Sequence, residues 1–244
     1  MLKLVKANII RLNSNFLYTI GAVLAFICTF FFVKEEPISQ LARLGEDRSM
    51  MVVSFAIILF FSIFTGLFIG EEYSDGVIRN KVLAGHSQTE VYISDYLALL
   101  VVLLIMEAAW FLGGVAAGVS ITGELLVFTL ISILYNAAYL GIMMAIAFRV
   151  RAMVAAAVTG LILFYALING GLVLNFLVSN ATGVALGILK VLYNTSAFGQ
   201  LFLQVGFMDA EISLGSAAQV LFSIVLLALT VFAGTFHLEK RDLK

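Results

Sequence analysis

The chain has 244 residues, of which 62% are hydrophobic and only 12% charged, with a net charge of -1. A soluble domain carries about 25% charged residues, so an ordinary soluble fold is excluded. No basic block occurs, so no nucleic-acid partner is expected. Cys28 is the single cysteine, so no internal disulfide can form; it lies in an apolar run and reads as a small buried hydrophobe.

Residues 1–15 predict a helix lying on the membrane surface. At about 100° per residue, Leu2, Val5, Ile9, Leu12 and Phe16 share a narrow arc, with Lys3, Lys6 and Arg11 outside it. The competing reading is a charged lead-in to the first span. A spanning helix needs about 20 apolar residues. Runs without Asp, Glu, Lys or Arg cover 12–33, 49–70, 125–148, 152–189 and 212–238, and a further run, 96–123, is broken only by Glu107. We read an all-α membrane protein, one transmembrane domain over 1–244, with six spans at about 16–33, 50–70, 94–119, 125–148, 152–176 and 214–236. The first apolar run is too long for the core of a signal peptide. The charged segment 34–49, with Pro37, is a loop on the far side.

The 152–189 run is too long for one crossing, so Asn169-Gly170-Gly171 or the 179–183 stretch must break it. What remains, 177 to about 208, predicts a short hairpin or interfacial element. Three small-residue pairs, Gly66/Gly70, Gly114/Gly118 and Gly183/Gly187, suit close helix packing within the bundle or between copies.

With six spans, Lys3, Lys6, Arg11, Arg79, Lys81, Arg149, Arg151, Lys240, Arg241 and Lys244 fall on one side. Only Lys34, Arg43, Arg48 and Lys190 fall on the other. That bias of ten against four predicts cytoplasmic termini and a cytoplasmic segment 71–95.

This segment, EEYSDGVIRNKVLAGHSQTEVYISD, is the one long polar island. Glu71 and Glu72 end the second span at the water. Gly76 permits a turn, after which Ile78, Val82 and Leu83 form the apolar side of a short helix, with Arg79, Asn80 and Lys81 facing elsewhere. Gly85 stops it. Ser87 and Glu90 fit a capping box, which starts a helix near residue 88 that enters the third span. A solvated loop is the plainer reading of the same composition.

Glu107 is the one ionisable residue deep in a span, where an acidic group costs about 2.5–3.5 kcal/mol and must face protein or water. Asn136 lies at similar depth and Asn169 somewhat nearer the outside. Either Glu107 is protonated or bonded to such an amide and fixes the bundle, or it lines a substrate route near Trp110. His86 and His237 are far apart and Cys28 has no partner motif, so no metal site is expected. No phosphate loop, nucleophile elbow or HExxH motif occurs, so the chain is not expected to be an enzyme or to hydrolyse ATP itself.

The island, the N-terminal helix and the six spans together resemble the bacterial type-2 ATP-binding-cassette (ABC) permeases. The matching residues are Glu72, Tyr73, Gly76, Ile78, Arg79, Asn80, Leu83, Gly85 and Ser87, with Glu71 beside them; Gln88 stands where the family often has a basic residue. The resemblance implies a permease subunit of an exporter in the bacterial cell membrane. Its partners would be a second permease copy, as a homodimer, and two cytoplasmic ATPase subunits that hold ATP and Mg. The island would be the coupling helix docked on the ATPase, and 177–208 a re-entrant external hairpin that, with its copy, closes the outer end of the substrate path. Amphipathic or hydrophobic substrates, such as antimicrobial or cytolytic peptides, fit this composition. Two other classes stay open: an ion- or proton-coupled carrier using Glu107, and a non-transporting membrane scaffold.

Overall fold

The computed structural model describes residues 1–13, 15–35, 46–205, 212–236 and 238. Among them every regular element is a helix. In chain order these are α1 (Leu2–Asn13), α2 (Phe16–Glu35), α3 (Glu46–Ser74), α4 (Val77–Leu83) and α5 (Gln88–Ala117). Then come α6 (Gly123–Val150), α7 (Met153–Asn180), α8 (Gly183–Thr195), α9 (Ala197–Val205) and α10 (Ser216–Thr235). Six of them, α2, α3, α5, α6, α7 and α10, are long and apolar enough to cross a bilayer, as a multi-pass membrane protein requires. The loop around Pro37 and Arg43, residues 206–208 of the expected hairpin, His237 and the tail cations Lys240, Arg241 and Lys244 lie outside the described residues.

The six long helices divide into an inner and an outer set. α3, α5 and α6 pack on one another, while α2 covers α5 and α3, α7 covers α3, and α10 covers α6. The division follows the side chains. Inner helices carry most of the buried polar groups, and several are matched by a neighbouring helix: Ser54 Oγ lies 2.9 Å from Tyr135 Oη, and Ser62 Oγ 2.7 Å from Tyr139 Oη. Trp110 Nε1 donates to the Met50 carbonyl at 2.9 Å, and Tyr96 Oη to the Ala137 carbonyl at 2.9 Å. In hydrocarbon such groups have no water to turn to, so their partners must be protein. The outer helices expose most of their surface, although α10 turns Gln219, Ser223 and Thr230 inward. Cys28 shares that exposure, contrary to the buried reading, because α2 buries only its Gly21, Ala25, Thr29 and Val33 ridge.

Glycine sets the tightest seam. A Cβ on Gly66 or Gly70 would run into the backbone of Ala156–Ala157 or Met153, and one on Gly160 into the Ser62 carbonyl oxygen. So Gly66/Gly70 is a packing pair inside one chain. Gly118 and Gly183 instead take left-handed backbone at helix ends, with φ of 117° and 61°.

The fifth span is longer than expected. Asn169-Gly170-Gly171 does not break α7, which runs on to Asn180 before the chain turns at 181–182. Gly171 packs against Phe198 and Phe202 of α9, so tertiary contact overrides intrinsic propensity there. The short helices α8 and α9 then pack against α3, α6, α7 and α10. At the opposite end of the bundle, α1, α4 and the junction of α6 with α7 come together. Tyr73 Oη donates to the Phe148 carbonyl at 3.3 Å, and the Arg151 guanidinium lies 5.6 Å from the Tyr73 ring centre. Arg149 caps the C-terminal carbonyls of α10, donating to Ala233 O at 2.7 Å.

Candidate functional site

The polar island forms the elements that its local grammar predicts. α3 ends at Ser74, and Gly76, at φ 69°, makes the left-handed turn into α4. Gly85, at φ 94°, makes the turn out of it. A side chain at either position would be strained by that backbone. Ser87 Oγ accepts from Glu90 N–H at 3.1 Å and Glu90 Oε2 accepts from Ser87 N–H at 3.2 Å, completing the capping box that opens α5.

The orientation of α4 differs from the sequence reading. Ile78 is buried and Val82 half-buried, but Leu83 is 74% exposed and Lys81 points inward. Helix geometry explains the exchange: Lys81 stands about 60° from Ile78 around the axis and Leu83 about 140°. Glu72 also departs from its expected place at the water. α3 carries it past the span into the interior, where it is fully buried.

These inward side chains build a cluster that no local pattern announces. Lys81 Nζ donates to Glu72 Oε2 at 2.9 Å and to Asp95 Oδ1 at 2.8 Å. Arg11 donates to the other Glu72 oxygen at 3.2 Å and to Asp75 Oδ2 at 3.4 Å, with its guanidinium 5.7 Å from the Phe68 ring centre. Asn8 Nδ2 donates to Asp95 Oδ1 and to Ser94 Oγ. Two cations and two buried carboxyl groups thus meet where α1, α3, α4 and α5 come to one point. Asp95 Oδ2 has no partner among the described residues.

On the protein side α1 buries Leu4, Asn8 and Leu12, while Leu2 and Phe16 of the apolar arc are largely exposed. Asn8 and Arg11 find their partners on other helices. Between α1 and α4 runs a groove of about 400 Å³, with Asn8 and Arg11 on one wall and Asn80, Lys81 and His86 on the other. Beside it the outward surface of the island carries Glu71, Arg79, Asn80, Leu83, Gly85 and Ser87.

Deep in the bundle, Glu107 and Asn136 meet as expected of a carboxyl bonded to an amide. Asn136 Nδ2 donates to Glu107 Oε1, and Ser132 Oγ to Glu107 Oε2 at 3.5 Å, both between α5 and α6. Ser54 and Tyr135 extend the network to α3. Asn169 is not part of it; its amide donates to the Tyr165 carbonyl of its own helix at 2.8 Å. Trp110 is fully buried, and Glu107 lines none of the cavities described here.

A second polar knot, also missed, ties α8 and α9 to α10. Asn194 Nδ2 donates to Ile212 O at 2.9 Å and Asn194 Oδ1 accepts from Leu214 N–H at 3.1 Å. Gln200 Nε2 donates to Asn194 O at 2.8 Å, and Gln200 Oε1 accepts from Ser223 Oγ at 2.8 Å. The signal available in sequence was the placing of Asn194 and Gln200 in apolar helices, where a polar side chain needs a partner. No known family model matches the chain, and no curated protein does either.

Proposed function

We propose that the chain is the transmembrane subunit of an ATP-binding-cassette exporter, and that α4 seats on an ATPase carried by a separate polypeptide. One observation carries the reading. α4 is a seven-residue helix bounded by left-handed glycines and tied to α1, α3 and α5 through Arg11, Glu72, Lys81 and Asp95, while Arg79, Asn80 and Leu83 face outward. A helix fastened in this way cannot swing independently of α3 and α5. Force applied to its outer face is therefore passed to two inner spans. The buried ion pairs are weak evidence for stability but apt for holding a fixed geometry.

In this reading α1 lies at the cytoplasmic membrane surface of a bacterial cell, both termini are cytoplasmic, and the groove between α1 and α4 receives part of the partner. ATP and Mg sit on two ATPase subunits, and a second permease copy completes the path. The pair α8–α9 acts as a re-entrant hairpin at the outer end. The substrate is amphipathic or hydrophobic, of the kind represented by antimicrobial or cytolytic peptides. Support for this last step is compositional: the polar groups of the inner helices are largely spent on one another. A proton-coupled carrier would need water to reach Glu107, which is sealed among Asn136, Ser132 and their neighbours.

The test is reconstitution with a cytoplasmic ABC ATPase that co-purifies with this chain. ATP-dependent efflux that is lost when the partner's phosphate-loop lysine is replaced supports the reading. Movement driven by a pH gradient alone selects the carrier, and binding of the ATPase without any movement selects the scaffold.

A further inference from the structure

The gap between α7 and α10 holds a cavity of about 390 Å³ that export coupling leaves without a role. α7 packs chiefly on α3 and α10 chiefly on α6, so the two outer helices flank α6 and barely meet. The cavity lies in that gap. Tyr139 and Ile142 of α6 form its floor, Leu167, Gly170 and Leu174 of α7 and Leu226 of α10 its walls, and the turn from α8 to α9 closes one end. Gly170 is ten residues from Asn180, and Leu226 ten from Ser216. At about 1.5 Å per residue the cavity is thus about 15 Å inside the ends of both helices. That depth is well within the hydrocarbon of a bilayer about 30 Å thick.

Three observations say what fills it. The polar groups of the closing turn are satisfied within the turn: Thr195 Oγ1 donates to Val191 O at 3.0 Å, and Ser196 Oγ donates to Tyr193 O and accepts from Gly199 N–H, each at 3.0 Å. The rest of the wall is almost entirely carbon, so a ligand is met by shape and not by hydrogen bonds. Second, Phe198 and Phe202 crowd Gly171, yet nothing lies within 4 Å of a Cβ placed on Gly170. Gly170, exposed on α7, thus leaves open space where it lines the cavity. Third, α7 and α10 expose Leu172, Val173, Leu221 and Leu229, so lipid, not water, borders the gap when the helices span a membrane.

We infer that the cavity binds one hydrocarbon chain of a membrane phospholipid, admitted sideways between α7 and α10 and ending against the α8–α9 turn. A void of this kind forfeits dispersion contacts along its lining. A chain sliding in from the bilayer restores them without desolvating a polar group. The bound chain packs the turn against α6 and so steadies the short-helix pair. This inference rests on the six helices spanning a membrane and is independent of ATPase coupling.

The test uses the full chain in phospholipid nanodiscs containing a trace of phospholipid with a diazirine at the end of one acyl chain. After illumination, peptide mapping should place more label on 195–198 than on 154–162, which covers the other half of α7. Gly170→Phe fills the space without meeting another group, so label on 195–198 should be lost while label on 154–162 persists. Gly170→Leu, checked by gel filtration alongside, serves if the larger ring perturbs folding. Equal labelling of the two stretches in the parent, or unchanged label on 195–198 in both variants, overturns the inference. Labelling of 195–198 by a headgroup diazirine, or by a photo-leucine amphipathic peptide when the acyl probe fails, also overturns it.

Discussion

Lys81 reaches from α4 to Asp95 in the second turn of α5, its Nζ 2.8 Å from Asp95 Oδ1, while the same nitrogen holds Glu72 at the end of α3. Three helices thereby share one cation. Arg11 brings in α1 on the other oxygen of Glu72. The arrangement makes α4 part of the bundle instead of a loop hung from it.

Removing that cation should be costly. Lys81→Met leaves two buried carboxylates with too little compensating charge, a loss of about 3–5 kcal/mol where a buried pair is broken. Asp75 is 56% exposed, and Asp75→Asn should change stability by less than about 1 kcal/mol. Thermal unfolding of both variants in detergent micelles measures the difference. Equal melting temperatures would mean that the cluster does not hold the helices together.

Glycines in one helix should respond in opposite directions. Gly160 is pressed on the Ser62 carbonyl, so Gly160→Ala should destabilise the α3–α7 seam by about 1–3 kcal/mol. Gly170 has open space beside it, so Gly170→Ala should be neutral or stabilising by up to about 1 kcal/mol through helix propensity. Denaturation of the two variants side by side reads the sign directly.

Glu107 should tolerate an amide but not a hydrocarbon. Glu107→Gln keeps hydrogen-bonding groups facing Asn136 and Ser132, and is expected to assemble and function as the parent does. Glu107→Leu strands those polar groups, at about 1–3 kcal/mol for each one left unsatisfied. Loss of function in a well-folded Glu107→Gln protein would instead make the carboxyl itself essential.

Asn194 links α8 to the start of α10 through side-chain bonds to Ile212 and Leu214. Asn194→Ala should loosen the short-helix pair, raising protease cleavage in the 183–215 stretch while the six long helices stay intact. Cleavage no faster than in the parent would show that apolar packing alone holds the pair.

Much of this was legible from one dimension. Six apolar runs give six long helices, because span length and composition are local quantities. The Ser87–Glu90 capping box is equally local, and Glu107 with Asn136 could be matched by depth alone. What escaped was angular and tertiary. Arg11 lies 61 residues from Glu72, and Lys81 lies 14 from Asp95, so their meeting depends on how helices rotate against one another. The same reason misplaced Leu83 outside in, and brought Asn169 into a polar core that it does not join. Asn194 and Gln200 fell in a stretch read only as a hairpin, and their partners lie 18 and 23 residues further along the chain.

If α4 is the seat of a motor, the contact can be trapped covalently. In a Cys28→Ser background, Leu83→Cys can carry a benzophenone in the complex reconstituted with a co-purifying ABC ATPase. Illumination should yield a covalent permease–ATPase product from Leu83→Cys and none from Leu221→Cys, which lies on the exposed face of α10. A complex that exports on ATP yet gives no ATPase adduct at Leu83→Cys would contradict that role for α4.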